Sequence, residues 1–148
     1  MHSHVAMWRV TQVHGVAMDF KHAAYSDTNN CTVRAVADAL GLNLITAYEF
    51  MKACGRKHGR GLMPYYTRRA YKVIAQHLGY EYVGLCQWDT ITQYGRTIRT
   101  AQRALLPHER IVFSVRGHVI GFHDRVTSDW ADSRLHRIEC AHVFKRAA

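Results

Sequence analysis

The chain of 148 residues is short of several things, and each shortage excludes something. No apolar run approaches the roughly 20 residues that a bilayer-spanning helix needs, so no membrane association is expected. The first ten residues, "MHSHVAMWRV", lack the basic-then-apolar pattern of a secretory leader, and a cytoplasmic protein is expected. There are only four cysteines, Cys31, Cys54, Cys86 and Cys140. They lie far apart with no CxxC pair, which argues for reduced thiols rather than a disulfide framework. Short Cys/His spacings do occur at Cys54/His58, His2/His4 and Cys140/His142. Structural zinc takes four ligands in paired short spacings. None of these pairs has a second at a matching distance, so no metal or other cofactor is expected. The glycine-rich basic stretch "CGRKHGRG" (54–61) lacks the GxxxxGK[ST] phosphate pattern, and Arg56, Arg60 and Gly61 are read as shaping a loop at a cleft rim. With two prolines and no low-complexity tract or repeat, disorder is expected only at the ends.

What is present is an ordinary globular composition, 48% hydrophobic and 21% charged, in a length that suits one domain spanning 1–148. The formal charge is +9, and eleven histidines add to it as pH falls. Such a chain is attracted to nucleic acids and to acidic proteins alike, so the sign of the charge does not choose a partner. "TRRAYK" and "RTIRTAQR" are read as solvated helical faces rather than a nucleic-acid groove. Tyr65, Tyr66 and Tyr71 are read as helix packing.

Along the chain, "VAMWRVTQV" (5–13) alternates like a strand, and 14–30 reads as an extended loop. From Cys31, the residues Val33, Val36, Ala37 and Leu40 recur at helical spacing, with Asn29 or Asn30 as N-cap and Gly41 as the stop. Thr46 is expected to cap a second helix that turns Ala47, Phe50, Met51 and Cys54 inward and ends at Gly55. Pro64 opens a third, burying Ala70, Val73, Ile74 and Leu78 and closed by Gly79. "YEYVGLC" (80–86) reads as a strand and 90–105 as a short helix broken near Gly95. "RIVFSV", "GHVIGF", "RVTSDW" and "RLHRIECAHVF" read as an antiparallel meander. Helices first and a strand cluster later predict an α+β domain.

One cysteine stands apart from the rest. In "TNNCTVRAVADALGL" (28–42), Cys31 occupies the first turn of a helix, where the macrodipole and unpaired N–H groups favour a thiolate. A catalytic thiol also needs a base held by a third group. His118, which opens the strand "GHVIGF" directly after Gly117, supplies a rigid base. Two carboxylates could hold its ring. A hairpin centred on His123-Asp124-Arg125 brings 118 opposite about 129, which favours Asp129, while Asp124 at the turn is the alternative.

These residues carry a resemblance. The order of Cys at a helix start, His at a strand start and Asp on the next strand is similar to the papain-like cysteine peptidase superfamily. Within it, "NNCTVRAVADALGLNLITAYEFMKACGRKHGRG" followed by "GHVIGFHDRVTSDW" resembles small bacteriophage and bacterial papain-like proteins. The similarity covers roughly 28–61 and 109–144. It implies a papain-like fold, with the helix of the nucleophile packed on a C-terminal antiparallel sheet. It further implies that Cys31 is the nucleophile, His118 the general base and acid, and Asp129 the residue that orients it. Asn30 matches the polar residue that often precedes the nucleophile. Papain-like enzymes usually place an oxyanion-donating glutamine a few residues before the cysteine. Here position 25 is Tyr25, and no glutamine lies between Gln12 and Cys31. The Cys31 backbone N–H with Asn29, Asn30 or Gln12 is the substitute set of donors.

Two functions from different classes follow. The first is a cysteine hydrolase of peptidase or isopeptidase type, acting on a protein or peptide, as a phage product in the cytoplasm of a bacterial host. The second is a catalytically idle papain-like fold whose basic surface binds or inhibits a host protein or nucleic-acid complex. The oligomeric state is not written in the sequence.

Overall fold

The computed structural model describes residues 21–129 and 135–147. The expected strand at 5–13, Gln12 and the His2/His4 pair lie outside them. A short 3-10 turn, Ala23–Ser26, leads towards α1, Cys31–Leu40, whose buried residues form a wide stripe, with Cys31, Arg34 and Asp38 on the other side. Val33, Val36, Ala37 and Leu40 are buried as their spacing predicts, and so are Ala35 and Ala39. A stripe this wide must be covered by other elements. Here α2, Leu44–Ala53, and strand β3, His118–His123, enclose it. Gly41 ends α1 at φ 68°, a left-handed conformation that glycine adopts without Cβ strain.

The cap of α2 is Asn43 rather than Thr46: the Asn43 side chain accepts from the Thr46 backbone N–H at 2.8 Å. Asparagine at that position provides the capping oxygen three residues before the donor. α3, Pro64–His77, begins on its proline as expected and buries Thr67, Ala70, Tyr71, Ile74 and Ala75. Val73 is exposed, and Tyr65 and Tyr66 lie on the solvent side, so of the three tyrosines read as packing residues only Tyr71 is core. The buried stripe of α3 is centred one residue away from the face that would hold Val73.

β1, Tyr80–Cys86, follows, and then two helices, α4 (Gln87–Tyr94) and α5 (Ile98–Ala104), meet around Gly95. β2, Arg110–Val115, β3 and β4, Cys140–Arg146, complete one four-stranded sheet. All pairs are antiparallel, in the order β1-β4-β2-β3, so the arrangement is α+β, with five α-helices among the described residues. It is not a meander, because β4 inserts between β1 and β2. Residues 125–129 of "RVTSDW" form no strand. After β3 the chain reverses at Asp124-Arg125, both at positive φ, makes one bridge between His123 and Val126, and leaves the ladder.

Alternation along the strands divides the core between the two sheet faces. Val112 and Phe144 pack with α1, α2 and α3, whereas Ile111, Phe113, Ile120, Phe122 and Val143 pack with α4 and α5. One contact fixes how α1 lies on β3. A Cβ at Gly121 would fall 1.9 Å from the Ala35 carbonyl oxygen, so only glycine lets the helix backbone approach the strand this closely.

Fold pairing also changes the cysteine picture. Cys86 and Cys140, distant in sequence, are directly opposed across β1 and β4, and both are free thiols.

Candidate active site

The segment that delivers Cys31 is held by a buried ion pair. Arg56 donates to the Asp27 carboxylate at 2.6 Å, and to the Asn29 carbonyl at 2.7 Å. The Gly59 N–H donates to the other Asp27 oxygen at 2.9 Å, and the Asn29 amide returns a bond to the Gly59 carbonyl at 2.8 Å. The loop 55–61 is thus tied to 27–29 through four hydrogen bonds. Burial pushes the Asp27 carboxyl up, but the Arg56 bond, the Gly59 N–H and nearby positive charge outweigh it and hold it below its ordinary value. On the other side, the hydroxyl of fully buried Tyr71 donates to the Thr32 carbonyl at 2.6 Å and fastens the first turn of α1 to α3.

Cys31 is the first residue of α1 and half-buried, and Asn30, at the N-cap position, makes no capping bond with its side chain. His118 stands at the start of β3, after the two-residue turn Arg116-Gly117. Its Nε2 lies 2.6 Å from Asp129 Oδ2, which leaves Nδ1 for the thiol. Burial pushes the Cys31 thiol up. The His118 hydrogen bond, backbone bonds at Val119 and Thr32 and the imidazole charge outweigh that, and the net shift is downward. His118 moves the opposite way: its bond to Cys31 raises it, burial opposes, and Asp129 adds a second raising bond and a negative charge. Both shifts favour a thiolate–imidazolium pair.

Asp129 reaches His118 by a route that strand pairing does not provide. A ladder continued from the His123–Val126 bridge would put position 131, not 129, opposite 118. The chain instead folds over the flank of α1. Asp38 accepts from the Ser128 N–H at 3.1 Å, the Ser128 hydroxyl at 2.8 Å and the Thr127 hydroxyl at 3.2 Å. The Asp129 N–H in turn donates to Thr127 Oγ1 at 3.2 Å. One helix therefore carries both the thiol and, seven residues on, the carboxylate that anchors the segment leading to Asp129. Burial raises Asp38 above its ordinary value, partly offset by these bonds and by the Arg34 charge.

Asp124, the alternative orienting residue, is not near His118. It is an exposed turn residue with φ 53°, its carboxylate 3.9 Å from His123 Nε2. The two asparagines also differ. Asn29 is committed to the Gly59 carbonyl, whereas the Asn30 side chain has no hydrogen-bond partner among the described residues and lines the cleft. That cleft, about 650 Å³ and open to solvent, is lined by Thr28, Asn30, Cys31, Arg34, Gly117 and His118 among others. A larger hollow of about 780 Å³ opens elsewhere on the molecule, lined by residues such as Tyr80, Leu106 and Val143, and neither Cys31, His118 nor Asp129 borders it. The Cys54/His58 and Cys140/His142 pairs have other partners: the His58 ring bonds the Tyr48 hydroxyl at 3.0 Å, and His142 the Tyr82 hydroxyl at 2.5 Å. Among the described residues no group of three or more His, Cys, Asp or Glu is disposed to hold a metal.

Three contributors were not singled out in the sequence. Asp38 had a signal, since it repeats Cys31 after two helical turns and interrupts an apolar run. Gly121 had one as well, an isolated glycine inside a strand. The Asp27–Arg56 pairing had none, because its members are 29 residues apart. No protein-family model, curated protein or solved structure matches the chain.

Proposed function

We propose that the protein is a cysteine hydrolase of papain-like type, performing acyl transfer on a peptide or isopeptide bond. Within that class, Cys31 is its nucleophile, His118 its general base and acid, and Asp129 the residue that orients the imidazole. The observation that carries the reading is the continuous chain Cys31, His118, Asp129 at the mouth of one cleft, with the thiol shifted down and the imidazole up. In this mechanism the thiolate attacks the acyl carbon and His118 gives its proton to the leaving amine. Water, deprotonated by the now neutral His118, then resolves the thioester. The Cys31 backbone N–H and the uncommitted Asn30 amide are the donors we assign to the developing oxyanion.

The test is site-resolved alkylation with iodoacetamide and, on separate unalkylated samples, acylation with 4-nitrophenyl acetate, in wild type and His118→Ala. Cys31 should label rapidly well below pH 8, outpacing Cys54, whose thiol burial raises. It should also give an acetyl-thioester that turns over. Loss of the fast labelling in His118→Ala completes the expected result. A Cys31 that labels no faster than a free thiol, with no dependence on His118, sinks the reading. That outcome favours the idle-fold alternative, which the +9 charge and the missing glutamine support.

A further inference from the structure

Arg34 is the remaining charged side chain of the cleft once the members of the proposed triad are assigned. It lines the same opening as Cys31, His118 and Asp129. It lies three residues after Cys31 on α1, and residues so spaced sit on one side of a helix with Cβ atoms about 5–6 Å apart. Its backbone N–H is used by the helix, bonding the Asn30 carbonyl at 2.9 Å. Its guanidinium makes no hydrogen bond or ion pair among the described residues and feels Asp38 only through space. Each nearby carboxylate already has its own donors. Asp129 is bound to His118, and Asp38 accepts from Thr127 and Ser128. Arginine presents a planar fork of donors that matches a carboxylate in two parallel bonds. An uncommitted fork facing a site is a receptor for such a group. The rest of the lining agrees: the one carboxylate of the cleft wall, Asp129, is consumed internally.

We infer that the cleft selects an anionic acyl substrate, and that Arg34 is the specificity residue, holding a carboxylate within about one residue of the scissile carbonyl. The substrate class is thus a peptide or acyl group with an acidic side chain or free carboxylate beside the bond that is cut. This inference rests on the proposed Cys31 chemistry for its substrate, but its first measurement does not. The step itself is unchanged: the thiolate forms the new C–S bond, the leaving group takes the His118 proton, and the anion stays bound to Arg34.

Two measurements test it on the full chain. The first is the ratio of Cys31 alkylation rates by iodoacetate and by neutral iodoacetamide, in wild type, Arg34→Gln and Arg34→Lys. The expected result is a ratio about tenfold lower in Arg34→Gln and restored in large part by Arg34→Lys, as a single charge–charge contact at a partly exposed site allows. The ratio is defined at pH 9 even for a thiol of ordinary reactivity. Failure of the hydrolase reading and failure of this inference are therefore read separately. The second compares acylation by the 4-nitrophenyl monoester of succinic acid with that by 4-nitrophenyl butyrate, which has the same chain length without the charge. Wild type should prefer the succinyl ester, with the loss in Arg34→Gln expressed mainly in KM and Cys31 labelling by iodoacetamide kept. An alkylation ratio that Arg34→Gln leaves unchanged in a protein whose circular dichroism matches wild type overturns the inference. So does a wild-type enzyme that prefers the butyryl ester.

Discussion

Asp129 touches Cys31 only through the imidazole between them, and its substitution should therefore move a pH profile before it moves anything else. Asp129→Asn keeps an oxygen to accept from Nε2 but removes the negative charge, so the imidazolium is less favoured and the thiolate with it. The limb of Cys31 alkylation rate against pH should shift to higher pH in this variant, with the rate at pH 6 falling about tenfold. Asp124→Asn should leave the profile where it is, because that carboxylate faces solvent and His123. A profile that responds to Asp124 and ignores Asp129 would exchange their roles. At the same scale, Asp38→Ala removes the acceptor of three hydrogen bonds that hold 127–128. It should produce a milder version of the Asp129→Asn profile without altering the charges that contact His118.

At the scale of elements, the site depends on how closely α1 lies against β3. Gly121→Ala puts a methyl group where the Ala35 carbonyl now sits, and backbone on backbone leaves little room to yield. The variant should lose about 1–3 kcal/mol of stability, the usual range for overpacking. It should also slow Cys31 alkylation, because the same shift separates thiol from imidazole. Chemical denaturation and labelling of one sample check both. The loop ahead of α1 gives a companion prediction. Arg56→Ala strips a buried carboxylate of its partner and should cost about 3–5 kcal/mol, far more than an exposed ion pair is worth. A loss below about 1 kcal/mol, the range of an exposed pair, would show that water reaches Asp27 unaided. At this scale the sequence was legible in part. The helix from Cys31 to Leu40 could be read from its spacing and its glycine stop, and α3 from its proline. The cap of α2 and the outward turn of Val73 could not, because a stripe one residue wider or narrower satisfies the same spacing.

Across the whole molecule, a buried histidine sets one term of the pH dependence. Burial, with the Arg68 charge adding, pushes His142 down to about 4 from its ordinary 6.5. Between those values the unfolded chain binds a proton that the folded chain refuses. His142 therefore leaves stability intact above pH 6.5 and erodes it as pH falls towards 4, by about 3 kcal/mol in total. Thermal melts from pH 7 to 4.5 should show a shallower decline in His142→Gln than in wild type, once the variant's constant offset at pH 7 is subtracted. Parallel curves would mean that His142 protonates in place.

Helix and strand periodicity, the position of Cys31 at a helix start and that of His118 at a strand start are local properties, and the sequence determined them because neighbouring residues alone decide them. Three things were decided only by the tertiary structure: the insertion of β4 between β1 and β2, the clamp of Asp27 on Arg56, and the path by which Asp38 carries Asp129 to His118. Each joins residues 29 or more positions apart, or replaces a strand ladder with a loop pinned to a helix. Such choices follow from which buried polar groups find partners once the chain is packed, and a linear pattern of apolar and polar residues does not encode that.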